Sequence, residues 1–153
     1  MIPLYDDNPT RQTPFVTITF IAMCVAVFLY EQRLPQEAAE LFAFQYGAIP
    51  ALIFGQASLP REAVAIPTSL TLLTSMFLHG GWMHLLGNML YLWIFGNNIE
   101  DAMGHTRFIL FYLLCGILAA LSHALTDVGS QIPMVGASGA ISAVLGAYLL
   151  LFP

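Results

Sequence analysis

The chain has 153 residues, of which 58% are hydrophobic and 8% are charged, and its mean hydropathy is +0.77. A soluble domain has about 25% charged residues, so this chain has too few to cover a water-facing surface, and its hydrophobic fraction excludes an intrinsically disordered protein. With 4 Lys and Arg against 9 Asp and Glu, the net charge is −5, which excludes a basic nucleic-acid-binding face and leaves the lipid bilayer as the expected surroundings.

The N-terminal segment, residues 1–13, is predicted to lie outside the membrane. It has Asp6 and Asp7 where a removable signal peptide would have basic residues, and no small-residue cleavage motif follows the first apolar stretch. We therefore expect the first apolar helix to remain as an anchor and residues 14–153 to form one membrane domain.

Four stretches are predicted to have the length and apolarity of a membrane-spanning helix, which needs about 20 residues. They run from about Pro14 to Tyr30, from Trp82 to Asn97, from Arg107 to Leu125 and from Ser138 to Phe152. The predicted fold class is an all-α, polytopic transmembrane helix bundle.

The connection between the first two stretches, residues 31–81, is apolar but interrupted by several prolines and glycines. Because of these interruptions it cannot form one spanning helix, and we expect it to lie at the membrane interface or to dip into it. Two interpretations are open, a loop that only covers helix ends and a lateral element that controls access.

The fourth stretch is short, since a helix from Ser138 to the end of the chain is only about 24 Å long against a hydrocarbon layer of roughly 30 Å. Residues 129–137 before it have no helical pattern. Either the chain ends before the span is complete, or the helix begins below the membrane surface. In the second case the irregular segment must be buried in protein or line a water-filled cavity, with a serine at its floor.

Small residues form a stripe along this fourth helix. Such a stripe lets helix backbones approach closely in lipid and predicts a tightly packed partner helix, whose identity the sequence leaves open. The stripe consists of Gly139, Ser142, Ala143, Gly146 and Ala147.

The segment from Gly136 to Gly139, with Ser138 between the two glycines, is the first candidate for chemistry. Glycines permit a sharp entry into a helix and a close approach of another backbone or a substrate. A serine at a helix start lies beside free backbone N–H groups, which can stabilise an oxyanion. The alternative is a serine that merely caps the helix, followed by a packing glycine.

His84 and Asn88 are the second candidate, because residues four apart share one face of a helix. Polar side chains inside an apolar span usually face the bundle interior or a cavity. Both can donate a hydrogen bond to a developing negative oxygen. The alternative is that they join helices by structural hydrogen bonds.

The other histidines are not predicted to be functional. His79 lies just outside the second stretch, five residues from His84, and no carboxylate or thiolate lies close to either in sequence, so we expect no metal site. His105 and His123 lie near helix ends and are interpreted as interfacial polar residues.

Three motifs, taken together, resemble the rhomboid family of intramembrane serine proteases. They occupy residues 77–88, 95–101 and 136–141, in the order and helix placement of that family. The resemblance implies that Ser138 is the nucleophile, and that His84 and Asn88 form the oxyanion hole with the serine's own N–H. Glu100 matches a structural polar anchor, and the long connection resembles the family's membrane-associated first loop.

The resemblance also implies the partners. Family members use no metal and no cofactor and cleave transmembrane segments of other proteins within the lipid bilayer. We therefore expect an integral, multi-pass membrane protein, in a bacterial cell membrane, with no nucleic-acid partner.

The chain departs from the family pattern in two respects. Leu70 and Thr71 stand where many members have a tryptophan and an arginine. The family core has six spans and takes its base histidine from the sixth, whereas four spans are expected here. We therefore expect a C-terminally incomplete domain that is inactive alone. The alternatives are a catalytically inactive rhomboid-like protein that binds transmembrane segments and a purely structural membrane protein.

Overall fold

The computed structural model of the protein describes residues 8–60 and 63–152. The remaining residues, which include the first seven of the N-terminal segment assigned to 1–13, lie outside the described residues. The helices are α1 (Phe15–Glu31), α2 (Gln36–Tyr46), α3 (Pro50–Ile53), α4 (Thr68–Thr74), a 3₁₀ turn (Ser75–Phe77), α5 (Trp82–Met103), α6 (His105–Ala124) and α7 (Ser138–Leu151). The described part of the chain contains no β-strand, which confirms the predicted all-α class.

The four predicted stretches are all helical, but the prediction that each is long and apolar enough to cross a membrane is wrong for three of them. Within the described residues, α6 is the one helix that is both long and apolar enough to cross a membrane by length and composition. The helices α1 and α7 are apolar but shorter, with 17 and 14 residues. The helix α5 has 22 residues and carries polar side chains along its length.

The helix α5 is the centre of the bundle, since α1, α6 and α7 all pack against it. The core lies between these four helices and includes Phe20, Leu92, Phe108, Tyr112 and Val144, all buried. Phe20 and Tyr112 stack with their ring centroids 4.5 Å apart, which joins α1 to α6. Aromatic burial of this kind fixes how the helices are arranged around α5.

The partner of the small-residue stripe is α6. A Cβ at Gly139 would lie 2.5 Å from the Cβ of Ala119, so the two helices can approach this closely only because residue 139 is glycine. The other side of the stripe is open, since Ser142 and Gly146 are exposed and a Cβ at Gly146 would meet no atom within 4 Å.

The sequence-based end of the second helix at Asn97 is wrong, because α5 continues to Met103. Glu100, on this extra turn, is 1% exposed and accepts hydrogen bonds from the backbone N–H groups of Val16 (2.9 Å) and Thr17 (2.8 Å). It also accepts from the Thr17 hydroxyl at 2.7 Å and pairs with His105 Nδ1 at 2.5 Å. A helix start has unpaired N–H groups and a positive dipole, so this carboxylate from α5 caps α1.

We predict that Glu100→Ala strongly destabilises the protein. The change leaves the N–H groups at the start of α1 without their acceptor in a buried place, and hydrogen bonds to charged groups contribute about 1.5–3 kcal/mol each. We expect the free energy of unfolding in detergent micelles to fall by about 3 kcal/mol or more.

The matched control is Asp101→Ala. The neighbouring Asp101 carboxylate also accepts two backbone N–H groups, those of Arg11 and Gln12, but these hydrogen bonds are solvent-exposed. We expect this variant to lose about 1 kcal/mol or less, because water replaces the lost acceptor. Equal losses in the two variants would contradict the capping role of Glu100.

Candidate active site

Ser138 is the first residue of α7 and is solvent-exposed, as the sequence predicts for a serine at a helix start. Ala137 occupies the N-cap position, and no side chain caps the helix. The Ser138 hydroxyl therefore does not have the capping role that was the alternative interpretation. Ser138 is one of the residues that line a cavity of about 690 Å³ between α6, α7, the segment before α7 and part of the long connection.

The irregular segment before α7 is held by hydrogen bonds to the long connection. The backbone groups of Ala48 and Met134 pair in both directions, at 3.0 and 2.8 Å, and Ala51 N–H donates to Ser130 O at 2.9 Å. Gly136 N–H donates to Ser75 O at 2.9 Å. The irregular segment thus has hydrogen-bond partners within the protein, which non-helical backbone in a membrane domain requires. It follows that the long connection does more than cover helix ends.

Gly136 brings the two candidate sites together. A Cβ at this position would lie 2.6 Å from both Cε1 and Nε2 of His84, and 3.7 Å from Asn88 Nδ2. The φ angle of Gly136 is +123°, which side chains other than glycine rarely adopt. His84 and Asn88 therefore share a helix face, as predicted, and this face touches the backbone two residues before Ser138.

Asn88 has an unused hydrogen-bond donor. Its side chain is 8% exposed, and Nδ2 is buried with no hydrogen-bond partner among the described residues. A structural amide that joined two helices would be paired, because an unpaired buried donor costs about 1–3 kcal/mol. Asn88 therefore does not join helices through Nδ2 within the described residues, and its role as a donor to an oxyanion stays a prediction.

The 690 Å³ cavity is open to the outside and mixed in polarity. Its polar lining includes Ser138, Ser142, His123 and Asp127, whereas Gly116 and Ala119 supply an apolar wall. His84 and Asn88 do not line it directly, but they contact Gly136, which does. A cavity of this size holds several water molecules, since one water needs about 30 Å³.

His79 is the residue whose surroundings the sequence did not predict. It is 2% exposed, and its ring packs against that of His84 with centroids 5.2 Å apart. Burial, together with the neighbouring charge of His84, lowers the pKa of His79 to about 4, so the ring is neutral at neutral pH. The available signal in the sequence was a histidine directly before two glycines, Gly80 and Gly81. Nothing in the sequence indicated that the ring of this histidine would be buried.

The remaining histidines lie apart from Ser138 or at the cavity wall. His105 pairs with the buried Glu100 and is thus part of the helix cap, while His123 lines the cavity near the end of α6. Among the described residues there is no group of three or more His, Cys, Asp or Glu side chains that could hold a metal ion.

We predict that Gly136→Ala destabilises the protein and displaces the His84 ring. A side chain at a φ of +123° costs about 1–3 kcal/mol, and the added methyl group would overlap the imidazole. We expect a lower midpoint of thermal unfolding. Gly146→Ala is the control, because a Cβ at this position on α7 would meet no atom within 4 Å. Since alanine favours a helix more than glycine does, we expect this variant to be neutral or stabilised by up to about 1 kcal/mol. An unchanged midpoint for Gly136→Ala would refute the close approach.

The model of the rhomboid domain matches residues 67–153, more than half of the chain. RHOMBOID-like protein 5 of Arabidopsis thaliana is 36% identical over 92 residues, which are 60% of this chain and 30% of that protein. Rhomboid protease GluP of Bacillus subtilis is 45% identical over 78 residues, 51% of this chain and 15% of GluP.

A third relative aligns over a longer part of the chain. The mitochondrial presenilin-associated rhomboid-like protein of Bos taurus is 33% identical over 122 residues, 76% of this chain and 32% of that protein. The chain thus spans less than a third of the length of these three relatives. On the domain match and these similarities, the chain belongs to the rhomboid family of integral membrane proteins.

Proposed function

We propose that this chain forms part of a multi-pass intramembrane serine endopeptidase that cleaves transmembrane segments of other membrane proteins. The observation that carries the proposal is the contact of Gly136, two residues before Ser138, with both His84 and Asn88. The contact supports the proposal because it joins the segment that precedes the proposed nucleophile, Ser138, to the helix that carries the two proposed hydrogen-bond donors. The name of the relative GluP, a rhomboid protease, supports the same activity.

In the proposed reaction, Ser138 Oγ attacks the carbonyl carbon of the substrate peptide bond while its proton passes to a base. The resulting oxyanion accepts hydrogen bonds from Asn88 Nδ2, from the His84 ring and from the backbone N–H of Ser138, which is free at the start of α7. Collapse expels the amine, which takes the proton from the base. Water from the cavity then hydrolyses the acyl-enzyme and regenerates the hydroxyl.

A second histidine is needed as the base, and we propose that it lies on a helix outside this chain. His84 is assigned to the oxyanion hole, and His79 is a poor proton acceptor because burial keeps its pKa near 4. Ser138 and Ser142 are exposed on one face of α7, so a further helix can approach them. The length of the relatives, at least three times that of the matched part, is consistent with such an addition.

The alternative proposal is a rhomboid-like protein that binds transmembrane segments without cleaving them. The observation in its favour is that three of the four histidines have other surroundings: His84 contacts Gly136, His79 is buried, and His105 pairs with Glu100. The fourth, His123, lines the same cavity as Ser138, but no hydrogen bond joins the two among the described residues. Two of the relatives are named rhomboid-like. The unpaired Asn88 donor beside the serine segment favours the enzyme, since a binding protein has no need for an oxyanion site. For the compartment we propose a bacterial cell membrane, since the relative GluP is a protein of Bacillus subtilis.

We predict that Ser138→Ala abolishes labelling by a serine-reactive fluorophosphonate and cleavage of a transmembrane substrate in membranes containing the full-length protein. His84→Ala and Asn88→Ala are expected to lower kcat by about 10²–10³ each, the usual effect of removing one oxyanion donor. Asn97→Ala is the matched control for Asn88→Ala, because it removes an amide from the same helix at a position away from Gly136, and it should keep the wild-type kcat. Wild-type protein that binds a transmembrane peptide but is never labelled would support the non-enzymatic alternative.

We also predict that residues 1–153 alone hydrolyse nothing, because the proposed base is missing. The measurement is cleavage of a generic transmembrane substrate by this chain in proteoliposomes, with the full-length protein as the positive control. Cleavage by residues 1–153 that disappears in Ser138→Ala would contradict the proposal of an external base.

A further inference from the structure

His79 lies in the short loop between the 3₁₀ turn and α5, and its imidazole is among the most deeply buried polar groups of the described residues. Neither ring nitrogen makes a well-formed hydrogen bond within the part of the chain that the structure describes, although a backbone group of Phe77 lies close enough to oppose the lowering of the pKa of the ring. A buried polar group without partners is unfavourable, and an apolar side chain of similar shape would avoid the cost. A contribution to the stability of the fold therefore does not explain why an imidazole is buried at position 79.

The contacts of His79 indicate what it does. Its ring packs edge to face against the His84 ring, with the centroids 5.2 Å apart and the planes inclined by 62°. The His84 ring in turn reaches the backbone of Gly136, where a Cβ would lie 2.6 Å from its Nε2. His84 thus touches a buried ring and a rigid glycine backbone, and these two contacts together restrict the rotation of its imidazole.

The neutral state of His79 matters for this contact. Burial keeps the ring uncharged at neutral pH, so it does not repel a protonated His84. A metal bridge between the two rings has no support, because the described residues offer no third ligand near them.

We propose that His79 is a positioning residue: its ring fixes the plane of the His84 imidazole so that Nε2 is directed toward the oxyanion formed at Ser138. The proposal rests on the proposed function. It assigns His79 no contact with substrate and no proton transfer. Its effect is on the orientation of the donor, which matters because a small misplacement of a catalytic group can lower the rate about 10²-fold.

The test measures the rate constant of Ser138 labelling by a fluorophosphonate, and kcat and KM for a transmembrane substrate, in the full-length protein. For His79→Ala we expect labelling and kcat to fall by about 10- to 100-fold with little change in KM, because the ground-state binding site is intact. For His79→Phe, which restores a ring of similar shape, we expect most of the lost rate to return.

The control for a merely structural role is Leu92→Ala, a cavity-forming change at a fully buried position in the middle of α5. The two variants are compared at a temperature at which both are folded. A loss of stability in Leu92→Ala with retained kcat, beside a loss of kcat in His79→Ala, supports positioning.

Three results would overturn the inference. The first is unchanged labelling in His79→Ala, the second is an equal loss of kcat in folded Leu92→Ala, and the third is a His79→Phe variant that is folded but as slow as His79→Ala. Each of these requires wild-type protein that is labelled at Ser138. If the wild type itself is not labelled, it is the proposed function that fails, so the two failures are distinguishable.

Discussion

The candidate site depends on one steric constraint, which is the approach of the Gly136 backbone to the His84 ring. The separation is shorter than any Cβ at residue 136 would allow, and the φ of +123° is one that glycine adopts without strain. If this contact were lost, Ser138 would still begin a helix and His84 would still lie on α5, but the segment that precedes Ser138 would no longer be packed against His84. The chemistry proposed for Ser138 and His84 requires that they lie close together.

The segment that carries Gly136 has no regular structure, so its position is set by partners outside it. The long connection supplies them through Ala48, Ala51 and Ser75, whose backbone groups pair with residues 130–136. This connection precedes α5 in sequence but is hydrogen-bonded to the segment that follows α6. Its interruption by prolines and glycines, which prevents a spanning helix, leaves free backbone groups for these hydrogen bonds.

At the other end of α5, the buried Glu100 carboxylate holds the start of α1 in place by hydrogen bonds to its backbone N–H groups. It gives the first N–H groups of α1 a charged acceptor that neighbouring residues of the same helix do not provide. The two ends of α5 therefore have different roles. The end near His84 supports the candidate site, and the end near Glu100 fixes the start of α1, which packs against α5, α6 and the 3₁₀ turn. Both ends of α5 place polar groups inside an apolar bundle. A polar group that is buried there without a partner lowers the stability, whereas a paired one favours a single arrangement of the helices.

The sequence by itself determined the helical class, the approximate positions of the long helices, the start of α7 at Ser138 and the shared face of His84 and Asn88. These features follow from local rules, namely the length of apolar runs, glycine beside a helix start and a spacing of four residues. Only the tertiary structure decided that α5 continues past Asn97, that α6 is the close partner of α7, and that His79 turns inward against His84. Each of these depends on contacts between residues far apart in the chain, such as Glu100 with Thr17 or Gly139 with Ala119, and no local pattern encodes which distant surfaces will meet.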